Sequence, residues 1–524
     1  MDKIPETLKG ILEDNKDTEF GKNHHFSEIK SIEEYKKQVP LSHYKDYKDY
    51  IDRMRKGETN LITVYPVLHY LCSSGTTGPQ KLIPCTQKSI QASMPVVKKQ
   101  AEKLSIHKNE KEKTLFMSAF NLDINNVQDQ ILIMSEGFYY FVYKYKIMDF
   151  NKYVDKDIMF DPDIIEFLYE KVWCAIVEEN IVSLESVYLY GVLQFFNYLE
   201  KNYKEIISDI RNNRINPEKK ISDKAKKFLL NLKYSEERLD FVEKECAKGF
   251  ENIAGRIWKN FRFVSGISNK AFKYQNESLD YFIGNVNKDT FVYGLSECLA
   301  GLSLEYNVYE YYIAPTSGFF EFLPFSEDEK DKDNNLKETK NYNEVEVGKD
   351  YELILTNYSG FYRYRTGDIL RIVRNDEKGV FIEFCRRDRS LSFAGEKTNH
   401  AHLEEVMEVM HELIPNILDY KLGATIFDNA GTYYLFLCLL DKSKVDLSLD
   451  EITKKFDELL GKVNYLYQLF RNQKTLGYPK VYLIDAKEYS ILFQTEICKK
   501  SHNKAKVLLS EQELKEILKK MEHF

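Results

Sequence analysis

The feature that most constrains the fold is a run of small and hydroxyl side chains at Cys72–Lys81, which reads Cys-Ser-Ser-Gly-Thr-Thr-Gly-Pro-Gln-Lys. It follows a strand end at Tyr70 and Leu71. Small residues let backbone N–H groups approach an anion closely, while hydroxyl groups add donors and Lys81 adds a positive charge. Gln80 stands where a Walker A loop requires glycine. The run therefore predicts another kind of phosphate-binding loop, with an ordinary polar turn as the alternative.

Length and composition predict a globular protein of more than one domain. The chain has 524 residues, and a single hydrophobic core stops growing at roughly 250–300 residues. Its 75 basic and 82 acidic side chains give a net charge of −7, which argues against a dedicated nucleic-acid-binding protein. The N-terminus lacks a signal-peptide pattern, and no apolar run approaches the roughly 20 residues of a membrane span. The eight cysteines form no CxxC pair, which favours buried free thiols and a cytoplasmic location.

Helical and β-rich segments alternate through the first three quarters of the chain. Apolar residues recur at helical spacing from Tyr44 to Met54, and residues 164–200 and 223–250 also read as helical. The β-rich runs are Arg262–Val264, Thr290–Tyr293, Phe319–Leu323, Tyr351–Thr356 and Val380–Cys385. This mixture predicts α/β layers. The charged run Ser326–Asn343 predicts a solvated loop or hairpin tip and not a binding surface.

The pattern changes after about residue 390. An amphipathic helix from Leu403 to Leu413 is followed by two β-rich runs, a long helix at Leu449–Phe470, a strand at Val481–Ile484 and a last helix that begins near Ser510 with a capping-box spacing. We therefore predict an α/β protein with a large N-terminal domain, residues 1–388, and a small C-terminal α+β domain, residues 389–524. His400 and His402 predict a surface pair at a helix start, because two histidines do not complete a metal site.

Three further motifs contain residue types that are typical of ligand binding or of a hinge. Tyr293-Gly-Leu-Ser-Glu297 follows a strand, where an aromatic ring and a carboxylate suit a base and a metal ion; packing is the alternative. Tyr362-Arg-Tyr-Arg-Thr-Gly-Asp368 offers a tight turn and a carboxylate for ribose hydroxyls, with a hairpin turn carrying an ion pair as the alternative. Arg386-Arg-Asp-Arg389 before Gly395-Glu-Lys-Thr398 suits a hinge between domains, with a surface charge cluster as the alternative.

Taken in order, these motifs resemble those of the acyl-adenylate-forming superfamily, which includes acyl-CoA ligases, luciferases and peptide-synthetase adenylation domains. The narrower resemblance is to the auxin-responsive Gretchen Hagen family of acyl-acid amido synthetases. It rests on blocks outside the shared motifs, namely Lys81-Leu-Ile-Pro84, Arg256-Ile-Trp258, Phe263-Val-Ser-Gly266, Phe320-Glu-Phe-Leu-Pro324, Val347–Leu353 and Tyr358–Asp368. The resemblance runs from about residue 5 to residue 400.

The resemblance implies a role for each matching residue. Ser73, Ser74, Thr76, Thr77 and Lys81 would contact phosphate oxygens. The nucleotide pocket would be formed by Gly266, Tyr293, Gly294, Ser296, Asp368 and Arg387, with Tyr293 against the adenine and Asp368 on the ribose. Glu297 would hold Mg²⁺ and act in catalysis. Lys397 and Lys504 would be the catalytic lysines near the nucleotide; a solvated surface lysine is the alternative for Lys504, since Lys504-Ala-Lys-Val507 lacks the Pro and Arg that follow the lysine in the plant enzymes.

The resemblance also implies a reaction. ATP and a small carboxylic acid would give an acyl adenylate and pyrophosphate, with Mg²⁺ as cofactor, and the amine of an amino acid would then take the acyl group and release AMP. An acyl-CoA or other thioester ligase shares the first step and remains an alternative. A binding protein that senses a nucleotide or an acid without turnover is a second alternative. The partners implied are small molecules, with no nucleic acid and no membrane.

Overall fold

The computed structural model of the chain describes most of its length. The described residues are 4–73, 81–104, 111–117, 127–128, 131–134, 167–268, 273–325, 338–387, 390–393, 395–428, 430–493, 507–509 and 511–521.

Helices in the described part of the chain are α1 Glu6–Asn15, α2 Glu19–Asn23, α3 Ile32–Gln38, α4 Tyr44–Arg55, α5 Gln87–Leu104, α6 Phe167–Val177, α7 Leu189–Arg211, α8 Asp223–Leu230, α9 Glu236–Ala247, α10 Ile253–Ile257, α11 Lys273–Ile283, α12 His400–Leu413, α13 Leu449–Val463, α14 Tyr465–Asn472, α15 Ala486–Phe493 and α16 Glu511–Met521. None of these helices is long and apolar enough to cross a membrane.

Strands in the same residues are β1 Val67–Ser73, β2 Lys81–Thr86, β3 Lys113–Phe116, β4 Val127–Gln128, β5 Ile131–Met134, β6 Ile181–Tyr188, β7 Phe263–Ile267, β8 Asn287–Asp289, β9 Val292–Gly294, β10 Leu299–Leu302, β11 Tyr311–Ile313, β12 Phe319–Pro324, β13 Asp350–Thr356, β14 Tyr364–Asp376, β15 Gly379–Arg387, β16 Ser390–Leu391, β17 Thr398–Asn399, β18 Ile417–Phe427, β19 Ala430–Leu439 and β20 Lys480–Asp485.

The chain divides into two compact units. The larger unit contains Met1–Ser73 and Lys81–Asp388, and the smaller unit contains Arg389–Phe524. The larger unit holds a parallel sheet of order β3-β6-β7-β8, a mixed sheet of order β2-β1-β5-β4 and an antiparallel sheet of order β12-β13-β14-β15-β11-β10-β9. The smaller unit is built on the sheet β18-β19-β20. The predicted fold class, an α/β large part with a small α+β tail, is confirmed.

Strand β6 corrects the prediction of one helix over residues 164–200. The segment forms α6, then β6, then the start of α7. Residues 181–186 are all buried, because β6 lies between β3 and β7 in the parallel sheet and packs on both faces. Such a strand is a short, mostly apolar run without alternation, which periodicity cannot distinguish from a buried helix.

Two other predicted helices are interrupted by caps. The predicted helix over residues 223–250 breaks after α8, where the Ser235 side chain accepts a hydrogen bond from Arg238 N and begins α9. The predicted helix over Leu449–Phe470 breaks at Asn464, whose side chain accepts from Tyr467 N and begins α14. Both interruptions follow the preference of Ser and Asn for helix starts. Ser510, predicted to begin the last helix, lies outside the described residues.

Aromatic packing joins the N-terminal helices to the segment that leads into β14. Tyr362 is fully buried, stacks on Phe20 with ring centroids 4.7 Å apart, and donates a hydrogen bond to Ile62 O at 2.7 Å. Gly360 allows this approach, because its φ is +98° and a Cβ atom there would lie 2.8 Å from Ile62 O. The buried residues of this core come from α1–α4 and the segments around them, from β1 and β2, from Phe319 of β12 and from the 358–364 segment.

Arg363 ties four parts of the larger unit together through a buried guanidinium group. It forms an ion pair with Glu321 of β12 at 3.0 Å and donates to Lys36 O and Val39 O, each at 2.9 Å. Its Nη2 also donates to Thr339 Oγ1 at 3.0 Å. Arg363 itself has φ +46°, a backbone conformation that side chains other than glycine rarely adopt. The network therefore holds a strained backbone at the entrance to β14.

Thr339 also corrects part of the prediction of a solvated loop over Ser326–Asn343. Residues 326–337 lie outside the described residues. Thr339 is buried and donates to Glu321 Oε1 at 2.5 Å, and Lys340 pairs with Phe322 through two backbone hydrogen bonds. The last part of the charged run is therefore attached to the sheet.

The smaller unit packs amphipathic helices on its sheet. Leu403, Val406, Met407 and Met410 of α12 are buried, as the sequence pattern predicts, whereas Leu413 is 42% exposed. Residues of β19, β20, α15 and α16 form a separate apolar cluster. Each unit therefore has its own core, as expected of independent domains.

His402 is buried, so the prediction of a surface histidine pair is wrong for this residue. It occupies the third position of α12, donates its backbone N–H to Asn399 Oδ1 at 2.9 Å, and accepts from Asn399 N through Nδ1 at 3.4 Å. Burial lowers the pKa of His402 from its ordinary value of 6.5 to about 4. The imidazole is therefore neutral at pH 7 and serves as part of a helix cap.

We predict that Arg363→Met destabilises the larger unit by about 3–5 kcal/mol, because it leaves the Glu321 carboxylate buried without its cation. Arg371→Met is the matched control, since its ion pair with Asp350 lies in the same sheet with the Arg371 side chain 51% exposed. The control should cost less than about 1 kcal/mol. Urea unfolding of the full chain measures both free energies, and equal losses would contradict a special role for the Arg363 network.

We also predict a pH-dependent stability of the smaller unit that depends on His402. As pH falls from 6.5 to about 4, the unfolded chain binds a proton that the folded His402 does not bind. Stability is therefore present above pH 6.5 and is lost progressively through that window. His402→Gln should reduce this loss in thermal midpoints measured from pH 7 to pH 4. Parallel curves for the wild type and the variant would show that His402 does not contribute.

Candidate active site

Strands β1 and β2 carry the ends of the predicted phosphate loop. They form an antiparallel hairpin in which Ser73 pairs with Lys81, so the Ser- and Thr-rich run connects two hydrogen-bonded strands. Ser74, Thr76 and Thr77 lie outside the described residues, and so does the side chain of Ser73. The predicted contact of this run with phosphate stays a prediction.

Lys81 lies between two tyrosine side chains of the larger unit. Its Nζ donates to the Tyr364 hydroxyl at 3.1 Å and lies 5.7 Å and 5.8 Å from the ring centroids of Tyr44 and Tyr364. Cation–π contacts of this kind hold an ammonium group without neutralising its charge. Lys81 thus begins β2 with its ammonium group held against two aromatic rings.

Two of the predicted nucleotide-binding residues are in direct contact. The hydroxyl group of Tyr293, on β9, donates to Asp368 Oδ2, on β14, at 2.7 Å, and both side chains are buried. In a flat sheet these strands, four positions apart in the strand order, would be separated by about 19 Å. The sheet must therefore curl strongly to bring the Tyr293 motif and the Asp368 motif together.

Glu297 lies in the turn that joins β9 to β10. Leu295 N donates to Cys298 O at 2.8 Å, and Gly294 pairs with Leu299 across the hairpin. Gly294 is exposed and Ser296 is half-buried, while Glu297 is 6% exposed. No described residue donates a hydrogen bond to the Glu297 carboxylate or forms an ion pair with it. A buried carboxylate in that situation favours a cation as its ligand.

Gly266 is required for packing inside the larger unit. It lies on β7, and a Cβ atom there would be 2.7 Å from Leu189 N and 2.8 Å from the carbonyl carbon of Tyr188. The glycine therefore permits the close approach of β7 to the junction of β6 and α7. This structural reason stands beside the predicted place of Gly266 in the base pocket.

The side chain of Arg387 and the whole of Lys504 lie outside the described residues. Arg387 ends β15, and its backbone pairs with that of Asp368 on β14. Its side chain lies outside the described residues, as do Asp388 and Arg389 of the predicted hinge. Lys504 lies in residues 494–506, which are also outside the description. Their predicted roles stay predictions.

Lys397 lies in a short loop of the smaller unit with a left-handed backbone, φ +48°. The preceding Glu396 is fully buried, and its carboxylate accepts from Phe393 N at 2.8 Å and from the Tyr433 hydroxyl at 2.6 Å. Asn464 Nδ2 donates to Glu396 O at 2.9 Å and to Thr398 Oγ1 at 3.0 Å. Buried hydrogen bonds on both sides thus fix the backbone of Lys397 in a sparsely populated conformation.

Metal-ligating side chains do not cluster in the residues that the structure describes. No group of three or more His, Cys, Asp or Glu side chains there has the geometry of a metal site. Mg²⁺ commonly uses one or two carboxylates and takes its other ligands from phosphates and water. The single carboxylate of Glu297 therefore fits a Mg²⁺ that is bound together with a nucleotide.

Asn357 is a site residue that sequence reasoning missed. Its amide nitrogen donates to Glu297 O at 2.9 Å, and its amide oxygen accepts from Ser359 N and Phe361 N. The side chain lies immediately after β13 and is 1% exposed. The only sequence signal was its position after a β-rich run, which is also typical of an ordinary turn.

Family models match most of the chain. The model of the GH3 family N-terminal domain matches residues 5–288, and the model of the GH3 family central domain matches residues 311–406. These ranges contain the predicted phosphate loop, the Asp368 motif and Lys397, while the Tyr293–Glu297 motif lies between the two ranges.

Curated relatives carry the same family name. The chain is 27% identical over 500 residues to the indole-3-acetic acid-amido synthetase GH3.3 of Arabidopsis thaliana, with 90% of this chain and 82% of that protein covered. It is 26% identical over 432 residues to the indole-3-acetic acid-amido synthetase GH3.8 of Oryza sativa subsp. indica, with 78% of this chain and 70% of that protein covered.

Solved structures share the fold. The acyl acid amido synthetase AtGH3.15, in complex with 2,4-DB, matches with a TM-score of 0.64 at 23% identity and covers 98% of this chain and 92% of its own. A 2-hydroxyisobutyryl-CoA ligase in complex with 2-HIB-AMP and CoA matches with a TM-score of 0.52 at 10% identity, over 100% of this chain and 94% of its own. The predicted resemblance to this family and the predicted class of enzyme, a ligase of the amido synthetase type, are confirmed. This chain belongs to the GH3 family.

Proposed function

We propose that this chain uses ATP to convert a small carboxylic acid into an acyl adenylate and then transfers the acyl group to the amine of an amino acid. The Tyr293–Asp368 hydrogen bond is the observation that carries the proposal. It joins two motifs that lie far apart in the sequence, and the hairpin that begins at Tyr293 also carries Glu297. A base-stacking ring, a ribose acceptor and a metal carboxylate would thus lie within one curled sheet.

In the first step, a carboxylate oxygen of the acid attacks the α-phosphorus of ATP. The new P–O bond joins the acid to AMP, and the bond to pyrophosphate breaks. Ser73, Ser74, Thr76, Thr77 and Lys81 would offer donors and positive charge to the phosphate oxygens. Fixed donors of this kind stabilise charge that develops in the transition state.

The nucleotide would contact residues from several strands of the larger unit. Asp368 would accept hydrogen bonds from the ribose hydroxyls, while the Tyr293 hydroxyl keeps the carboxylate in one orientation. Gly266, Gly294 and Ser296 would line the base pocket with the Tyr293 ring, and Arg387 would lie beside Asp368. A buried carboxylate that already accepts one hydrogen bond is oriented before the ligand arrives.

Mg²⁺, when bound, supplies positive charge that neutralises phosphate oxygens. Glu297 would hold it, since the carboxylate is buried and receives no hydrogen bond from the described residues. The chain's own part is to keep that carboxylate at the turn between β9 and β10. Lys397 and Lys504 would add charge from the smaller unit, with Lys504 reaching the α-phosphate.

In the second step, the amine of an amino acid attacks the acyl carbon and the bond to AMP breaks, leaving an amide. We propose that residues 1–388 form a domain that binds ATP and the acid, and that residues 389–524 form a small mobile domain that rotates between the two steps. We also propose a cytoplasmic location. Cys85, Cys174, Cys246, Cys298, Cys385 and Cys438 are all free thiols, as expected of a protein in a reducing compartment.

Product analysis tests the proposed function. We expect exchange of pyrophosphate into ATP that depends on a carboxylic acid, in a screen of aromatic and alicyclic acids that includes indole-3-acetic acid. With mixed amino acids, mass spectrometry should detect an amide and AMP. A thioester with CoA and no amide would favour the acyl-CoA ligase. ATP binding without any exchange would favour the non-catalytic binding protein.

We predict that Glu297→Ala lowers acid-dependent pyrophosphate exchange by at least about 100-fold, because a charge-stabilising group at the phosphates is removed. The fold should be retained, since the described residues make no ion pair or hydrogen bond with this side chain. Glu310→Ala is the control, because it removes another carboxylate of the larger unit, one that pairs with Arg374 at 2.7 Å. Exchange at the wild-type rate in Glu297→Ala would exclude Glu297 from the metal role.

A further inference from the structure

The side chain of Asn357 connects the Glu297 hairpin to the segment that leads to Asp368. Its Nδ2 donates to Glu297 O at 2.9 Å, and its Oδ1 accepts from Ser359 N at 3.0 Å and from Phe361 N at 3.2 Å. The structure thus gives the amide a partner on each side.

We propose that Asn357 is a positioning residue that sets the place of the Glu297 carboxylate and thereby the affinity of the enzyme for its divalent cation. This inference rests on the proposed function, since it concerns the same site. The hydrogen bond that Asn357 donates reaches the backbone carbonyl of Glu297, not its carboxylate. It acts on the backbone to which that carboxylate is attached.

The geometry explains why a backbone contact matters here. Among the described residues, the turn between β9 and β10 has one backbone hydrogen bond of its own, from Leu295 N to Cys298 O, and the ladder shifts register between Leu299 and Gly301. A turn with so few internal bonds depends on contacts from outside to keep one conformation. The Asn357 amide supplies such a contact at Glu297 itself.

The segment after Asn357 is held by hydrogen bonds and burial, and it therefore fixes the position of the Asn357 side chain. Asn357 N also donates to Phe361 O at 2.9 Å, and Phe361 and Tyr362 are fully buried. Next comes Arg363 with its buried ion pair to Glu321. Glu297 is therefore held by the same segment that leads to Asp368. This shared attachment fixes the distance between the proposed metal ligand and the proposed ribose ligand.

Asn357→Asp removes the hydrogen bond that the side chain donates and keeps those that it accepts. An aspartate keeps an oxygen that accepts from Ser359 N and Phe361 N, but it places a second oxygen, not a donor, against Glu297 O. Asn357→Ser is the second variant and adds no charge. Its hydroxyl can accept from the N–H two residues ahead, yet it is too short to reach Glu297.

Asn15→Asp is a matched control. Asn15 is also fully buried, donates through Nδ2 to a backbone carbonyl, Ile11 O at 2.7 Å, and accepts through Oδ1 from a backbone N–H, Val64 N at 2.9 Å. Its contacts lie among the N-terminal helices and the segment before β1. The control therefore matches the stability cost of a buried Asn→Asp change without touching the Glu297 turn.

The first readout needs neither nucleotide nor metal. Hydrogen–deuterium exchange of the full chain should increase in peptides that cover residues 293–300 in both Asn357 variants. The same peptides should be unchanged in Asn15→Asp. Unchanged uptake in both Asn357 variants would overturn the proposal, whatever the activity of the protein.

The second readout is the Mg²⁺ concentration that gives half-maximal acid-dependent pyrophosphate exchange. We expect it to rise roughly 3- to 10-fold in both Asn357 variants, the effect of one lost hydrogen bond, while Asn15→Asp keeps the wild-type value. An unchanged midpoint in the Asn357 variants, or an equal rise in Asn15→Asp, would overturn the proposal. An absence of exchange in the wild type would instead refute the proposed function, and the deuterium measurement would still decide whether Asn357 holds the turn.

Discussion

The buried ion pair between Arg363 and Glu321 is the interaction on which the rest of the larger unit depends. A guanidinium group removed from water must have all its donors satisfied, and here its partners come from β12, from the end of α3 and from Thr339. These partners are distant in the sequence. The full set of bonds to the guanidinium group therefore requires both the N-terminal helices and the antiparallel sheet to be in place.

This constraint explains the length of the Tyr358–Asp368 block. Most of its residues do structural work: Gly360 permits close packing on Ile62, Tyr362 fills the core beside Phe20, and Arg363 holds the ion pair. Only the end of the block, at Asp368, faces the chemistry proposed for this enzyme. Most of this long motif therefore serves to position one carboxylate, and only a small part of it would contact the ligand.

Sequence reasoning succeeded where the signal is local. The hydroxyl-rich run does connect two paired strands, and the helical periodicity of Tyr44–Met54 and of Leu403–Met410 corresponds to α4 and α12. It failed at Ile181–Tyr188, because a parallel strand buried on both faces has no alternation to read.

The arrangement of the site could be predicted only in part. Residue types in the motifs identified Tyr293, Glu297 and Asp368 as candidates. Nothing in the sequence indicated that Tyr293 and Asp368 touch, because that contact depends on the curl of a sheet whose strand order is not sequential. Asn357 escaped notice for the same reason: its partner at Glu297 is 60 residues away.

The hydrogen bonds around Lys397 have a consequence for the smaller unit. Glu396, Tyr433 and Asn464 all belong to that unit, and together they fix the loop on both sides of the lysine. The loop conformation at Lys397 is thus fixed by contacts inside the smaller unit. The direction in which the Lys397 side chain leaves the backbone is therefore set by the fold of that unit itself, at the energetic cost of a conformation that residues other than glycine rarely adopt.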